Sequence, residues 1–196
     1  MRIYLVRHGE TDWNIERRFQ GKEDIELNET GIRQAHICGE ALSWNHFTTI
    51  LTSPLSRAKR TAEIIGTYMD QSEVVIDERL IERDFGVVSG MLPKDREAYL
   101  ASGKETYMEP FEHVTTRLME ALKEYQQTYA GRDILLVSHG GTINAILHVL
   151  SAGEIGTGKT YLKNTCISIL DCNYNGMKIE AYNLSPEEYR ITVENV

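Results

Sequence analysis

Ile3-Tyr4-Leu5-Val6, followed at once by Arg7-His8-Gly9, frames everything downstream. Four consecutive strand-forming residues bounded by a glycine read as a buried β-strand. Arg7 and His8 then stand at the carboxyl end of that strand. Gly9 permits a sharp turn, and Thr11 or Asp12 is placed to cap a short helix. Open α/β sheets bind their ligands outside the carboxyl ends of the strands. An arginine and a histidine therefore occupy the place where such a fold performs its chemistry. A guanidinium fork matches phosphate oxygens, and a neutral imidazole is a nucleophile. Together they suggest attack on phosphorus beside a group that holds the phosphoryl oxygens.

The same pattern returns near residue 139. Ile134 to Val137 is a four-residue apolar strand, and Ser138-His139-Gly140-Gly141-Thr142 follows it. The glycines let backbone N–H groups approach a ligand before a helix begins. Between the two histidines the pattern alternates. Asn28 caps a helix carrying Ile32, Ala35 and Leu42, and 48–52 reads as a strand. Ser53 as cap and Pro54 in the first turn then open a helix that places Arg57 near its positive end. A short strand at 74–76 precedes a charged run that contains Glu82. Val114, Leu118, Ala121, Leu122 and Tyr125 form one apolar stripe on a helix over 111–129. Residues 91–110 show no clean periodicity and read as a lid or insertion over the site, reaching at most from 83 to 113. Residues 166–170 and 177–182 form a hairpin-like pair around Asn175-Gly176, and the polar tail from Ser185 is expected to dock loosely. This order predicts one domain over 1–196, an α/β sandwich with a mainly parallel sheet.

Four ordered motifs carry a resemblance. Leu5-Val6-Arg7-His8-Gly9-Glu10-Thr11 resembles the signature of the histidine phosphatase, or phosphoglycerate-mutase-like, superfamily. Thr52-Ser53-Pro54-Leu55-Ser56-Arg57 with Thr61-Ala62 is similar to that family's second phosphate-binding arginine motif. Glu82 ahead of Phe85-Gly86 and Gly90 resembles its general acid, and His139 its second site histidine. The resemblance implies a three-layer α/β/α sandwich with a mixed central sheet. It implies that His8 becomes phosphohistidine while Arg7, Arg57 and His139 fix the phosphoryl oxygens. Glu82 would protonate the leaving oxygen, its pKa raised by burial and a phosphate neighbour. Asn14 and Gln20 match positions that contact the phosphoryl group, and Gly140 offers backbone to it. Two departures bear on substrate choice. Val88 stands where phosphatase members often carry Trp, and Met108-Glu109-Pro110 stands where they often carry Gly-Glu-Ser.

The rest of the sequence sets bounds. A net charge of −8 argues against general binding of nucleic acid or anionic membrane. Three cysteines, Cys38, Cys166 and Cys172, lack metal or redox spacing and read as reduced thiols of a cytoplasmic protein. No signal peptide or spanning segment is predicted. Gly153 to Thr160 fits the letters of a phosphate-binding loop, yet a helix precedes it and a β-rich run follows, so it reads as an ordinary loop. His36 and His46 read as surface or edge residues, His113 as a surface residue and His148 as core or edge. The reading is thus a phosphatase of a small phosphorylated metabolite, needing neither metal nor cofactor, with a homodimer left open. A phosphoglycerate mutase is the nearest alternative. A short insertion after Glu82, and Gly-Gly after His139 where mutases tend to have Gly-Asn, lean against it. A non-catalytic phospho-ligand sensor and a nucleotide-binding protein are further alternatives.

Overall fold

The computed structural model describes residues 1–69 and 73–194. Its centre is a six-stranded sheet: β1 (Arg2–Arg7), β2 (Thr49–Thr52), β3 (Glu73–Ile76), β4 (Ile134–Ser138), β5 (Ile167–Asn173) and β6 (Gly176–Leu184). The order is β3-β2-β4-β1-β5-β6. The first four strands run parallel, and β5 runs antiparallel to β1 and to β6. Helices α1 (Asp12–Ile15), α2 (Glu29–Leu42), α3 (Ser56–Gly66), α4 (Pro93–Ala101), α5 (Phe111–Thr128), α6 (Gly140–Leu150) and α7 (Pro186–Glu194) complete the described chain. The sheet is mixed and mainly parallel, with helices on both faces, as the motif order and the resemblance imply.

Strand alternation builds the layers. Tyr4 and Val6 pack with Cys38, Leu42, Ala58 and Ile65 of α2 and α3 and with Tyr189 of α7. Ile3 and Leu5, one step out of phase, pack with Leu118 and Leu122 of α5 and with Ile143 and Ile146 of α6. Successive side chains of a strand point to opposite faces, so one short strand seeds both cores. The apolar stripe read on 111–129 is the buried face of α5.

Register explains how the two histidines meet. β1 and β4 are hydrogen-bonded neighbours, pairing Val6 with Val137 and Arg7 with Ser138. His8 and His139 each follow one residue later, so two strands far apart in sequence deliver both rings to one edge of the sheet. The Asn28 side chain accepts from Gly31 N at 2.8 Å and caps α2, as expected. There α2 comes very close to the site turn. A Cβ on Gly9 would lie 2.4 Å from the Gly31 carbonyl oxygen, so only glycine fits.

Three local expectations are corrected. α3 starts at Ser56, with Leu55 as its N-cap, not at Ser53-Pro54. Ser53 N still donates to Val137 O, extending the sheet, and Asp24 Oδ1 satisfies Ser56 N at 2.7 Å instead. Residues 93–101 form α4, a helix with no buried residue, and that is why no apolar stripe marks it. The tail does not dock loosely: Tyr189 of α7 is 2% exposed and packs edge-on against Tyr4. One buried aromatic anchor in a polar stretch escapes a periodicity search. Gly153 to Thr160 is loop and turn as read, and Lys159 Nζ donates to Gly153 O within it.

Candidate active site

Arg7, His8, Asn14, Gln20, Arg57, Glu82 and Gly140 line one cleft of about 370 Å³. It opens at the carboxyl ends of β1 and β4, next to the strand-order reversal where open sheets bind ligands. His139 lies beneath the cleft wall, 0% exposed, with its ring centroid 5.2 Å from that of His8.

His8 is fixed from both ends. Its backbone N donates to Ser138 O at 2.9 Å, and Nδ1 lies 2.7 Å from Gly9 O. A carbonyl can only accept, so Nδ1 carries the proton in a neutral ring and Nε2 keeps its lone pair. Burial, and then the charges of Arg57 and Arg7, hold the pKa of His8 well below the usual histidine value. The ring is therefore neutral at physiological pH, the state a nucleophile requires. Gly9 N donates to Thr61 Oγ1 at 3.1 Å, and that hydroxyl donates to Arg57 O at 2.7 Å. The turn that aims His8 is thus tied to α3.

Both guanidinium groups are anchored by carbonyls. Arg7 NH1 donates to Leu162 O. Arg57, 0% exposed, donates through NH1 to Glu23 O at 2.6 Å and through NH2 to Gly21 O at 2.8 Å. Burial pushes its pKa down to about 10, which still leaves it charged at neutral pH. The Nε of each arginine is buried without a partner among the described residues. A phosphoryl oxygen would satisfy such donors.

His139 is held neutral by burial first, then by Arg57, His8 and Arg7. Its Nε2 lies 2.7 Å from Ser53 Oγ, and its Nδ1 has no partner among the described residues. Ser53 Oγ already accepts from Leu55 N, so its hydroxyl proton is free to point at Nε2. When Ser53 donates to Nε2 in this way, the ring proton sits on Nδ1 and is the donor left for a ligand.

Glu82 is 6% exposed and closes the opposite wall. Its carboxyl accepts from Gly141 N and Thr142 N at 2.9 Å each, from Thr142 Oγ1 at 3.1 Å and from Arg83 N at 2.8 Å. The head of α6 thus grips the carboxyl through free N–H groups. A Cβ at Gly141 would meet Glu82 Oε1 at 2.6 Å, so the second glycine of the fourth motif makes room for the carboxyl. The loop carrying Glu82 is hooked to the start of α5. Arg83 Nε donates to Glu109 O, Glu109 accepts from Asp84 N, and Arg117 pairs with Glu109 at 3.1 Å.

Asn14 closes a capping box with Thr11, its Oδ1 accepting from Thr11 N at 3.1 Å and from Asn164 Nδ2 at 3.2 Å. With the oxygen engaged, its amide N–H groups are the end left for a ligand. Gln20 is buried, and its Oε1 lacks a partner among the described residues. Gly140 packs against Arg7, its Cβ position 3.4 Å from Nε.

The sequence reading did not include Ser53, Thr61 or Asn164 among the site residues, nor Arg17, Arg96 and Tyr161 of the outer wall. The one available signal was that Ser53 and Thr61 sit inside the second motif. Val88 is 0% exposed and does not line the cleft.

A family model, the histidine phosphatase superfamily (branch 1), matches residues 3–185. The chain belongs to this superfamily. It is 41% identical over 183 residues to a Bacillus subtilis protein named uncharacterized phosphatase PhoE, across 93% of this chain and 94% of that one. It is 36% identical to a Klebsiella pneumoniae protein named probable phosphoglycerate mutase GpmB, across 87% and 85% of the two chains. Among solved structures, a mutant phosphoserine phosphatase of Entamoeba histolytica in complex with phosphoserine superposes with a TM-score of 0.81. It shares 27% identity, over 95% of this chain and 98% of the other. Phosphoric monoester hydrolysis is the activity that this membership and these relatives support.

Proposed function

We propose that the protein is a phosphomonoester phosphatase that passes its phosphoryl group through His8. The observation that carries this reading is the Nδ1–Gly9 O bond on a neutral, buried ring, which leaves Nε2 as an aimed lone pair. Nε2 attacks phosphorus in line while the P–O bond to the leaving group breaks. Arg7, Arg57 and the Nδ1 proton of His139 receive the equatorial oxygens, with Asn14, Gln20 and the backbone at Gly140 around them. Preset cations and donors of this kind stabilise the transferring group without reorganising during the step. Glu82 gives its proton to the leaving oxygen, then takes one from the water that cleaves the phosphohistidine. Since the guanidinium groups supply the positive charge, we expect turnover to persist in EDTA.

The substrate in this reading is a small phosphorylated metabolite, supported by the phosphoserine-bound relative. Residues 83–113 act as a lid, supported by Phe85 and Arg96 on the cleft wall. A cytoplasmic location is supported by three buried free thiols, Cys38, Cys166 and Cys172. A homodimer is testable by light scattering.

The mutase-named relative gives the second reading its basis. One assay separates the two. Rapid quench of a phosphate-labelled ester should trap acid-labile label on protein, lost in His8→Ala, and inorganic phosphate should then appear. Isomerised ester in place of free phosphate would favour the mutase. No protein-bound label would rule out the phosphohistidine route.

A further inference from the structure

No residue of the β5–β6 hairpin lines the cleft, yet the segment leading into it, 161–165, bonds to Arg7, His8 and Asn14. Arg7 NH1 donates to Leu162 O. Thr165 N donates to Arg7 O at 3.1 Å and more weakly to His8 O at 3.4 Å. Asn164 Nδ2 donates to His8 O at 3.1 Å and to Asn14 Oδ1 at 3.2 Å. Thr165 is 2% exposed and holds a φ of 53°, a left-handed conformation that a β-branched residue rarely adopts. Such strain persists where the surroundings over-determine the backbone, and it clusters at functional sites. The segment is also gripped from its far side. Asn183 of β6 accepts from Lys163 N at 2.9 Å and donates to Tyr161 O at 3.0 Å. It stands where β6 is bulged: β5 runs from Ile167 to Ile169 while β6 runs from Leu184 to Ala181, and Asn183 takes a φ of 56°. Bulges beside active sites re-aim side chains.

The two amides settle each other's orientation. His8 O is a carbonyl and can only accept, so the Asn164 side chain must turn its nitrogen toward it. The same nitrogen meets Asn14, so the Asn14 atom facing it is the oxygen. Thr11 N donates to that oxygen too. The Asn14 nitrogen is then the end left to face the cleft, whereas Asn164 itself does not line it. We propose that Asn164, held by Asn183, is a positioning residue for phosphoryl transfer. It fixes the Asn14 amide and the His8 backbone relative to each other, so that the Asn14 N–H meets the transferring group in its in-line geometry. This rests on the phosphatase reading for its catalytic meaning, but binding alone tests it.

The probes are orthovanadate, which adopts the trigonal-bipyramidal geometry of in-line transfer, and inorganic phosphate, which does not. By calorimetric titration, Asn164→Ala should weaken orthovanadate binding about tenfold or more, the loss of one hydrogen bond to a charged group, and phosphate binding less than about threefold. In an Asn14→Ala background, adding Asn164→Ala should change orthovanadate binding less than about twofold, because the group it positions is gone. A purely structural Asn164 would weaken both anions alike, with or without Asn14. Asn183→Gly suits the positive φ and removes both side-chain bonds, so it gives a second route to the same readout. It too should weaken orthovanadate, and it should add less than about twofold to Asn164→Ala. Unchanged orthovanadate binding in Asn164→Ala, or an equal loss with and without Asn14, overturns the positioning role. An Asn183→Gly loss that adds in full to that of Asn164→Ala removes Asn183 from it. Coupling of Asn164 to Asn14, with no phosphate released from any ester of a phosphomonoester panel by the unmodified protein, leaves the positioning standing and removes the phosphatase reading.

Discussion

At the residue scale the site depends on where single protons sit. Gly9 O settles this for His8, because a carbonyl cannot donate. For His139 the neighbour is the Ser53 hydroxyl at 2.7 Å, which supports the Nδ1–H form when it donates to Nε2. Ser53→Ala should therefore lower kcat by about tenfold or more, the loss of one buried hydrogen bond, with a smaller change in KM. Steady-state kinetics check this, and nitrogen NMR of the His139 ring should show the Nδ1–H form replaced or mixed. Unchanged kinetics would show that something else sets the tautomer. Arg7, His8 and His139 were legible in the sequence because each abuts an apolar strand. Ser53, Thr61 and Asn164 were not, because a hydroxyl or amide acquires a role only from what distant segments place beside it.

At the element scale the head of α6 holds the proposed acid. Two of its backbone N–H groups and the Thr142 hydroxyl hold the Glu82 carboxyl. Gly141→Ala should push that carboxyl out of place, since the added Cβ would stand 2.6 Å from Oε1. The expected result is about tenfold slower hydrolysis of alkyl phosphates, with less effect on p-nitrophenyl phosphate, whose leaving group needs little protonation. Equal slowing of both would count against Glu82 as the acid. Elements with a buried face, α2, α5 and the strands, were readable from periodicity. α4 was not, because it buries no residue. The start of α3 was misplaced because Asp24, 32 residues away from Ser56, does the capping.

At the scale of the whole molecule, burying His8 and His139 as neutral rings couples stability to pH. Both pKa values are lowered in the folded state, so below the ordinary histidine value near 6.5 the unfolded chain binds more protons. Stability is then fully present above about pH 6.5 and falls on acidification, by up to about 1.4 kcal/mol per pH unit for each ring. Urea unfolding between pH 7.5 and 5.5 should show this fall, and His139→Ala should flatten it. The seventh helix supplies a second test of global stability. Tyr189 is 2% exposed against Tyr4, and its hydroxyl is bonded to Asn45. Tyr189→Ala should cost about 3 kcal/mol or more in urea unfolding, as for other buried aromatics. A loss below about 0.5 kcal/mol would mean that α7 docks weakly.

By itself the sequence determined the layered α/β class and singled out His8, Arg7, Arg57 and His139 as the candidate site residues. Short apolar strands ending in functional residues are local patterns, and local patterns survive in one dimension. Only the tertiary structure decided which nitrogen of His8 carries the proton, that α6 grips Glu82, and that Arg17 and Arg96 share an outer wall. Those outcomes depend on the β1–β4 register and on loops meeting across the sheet, where one residue of slip would turn each side chain to the other face.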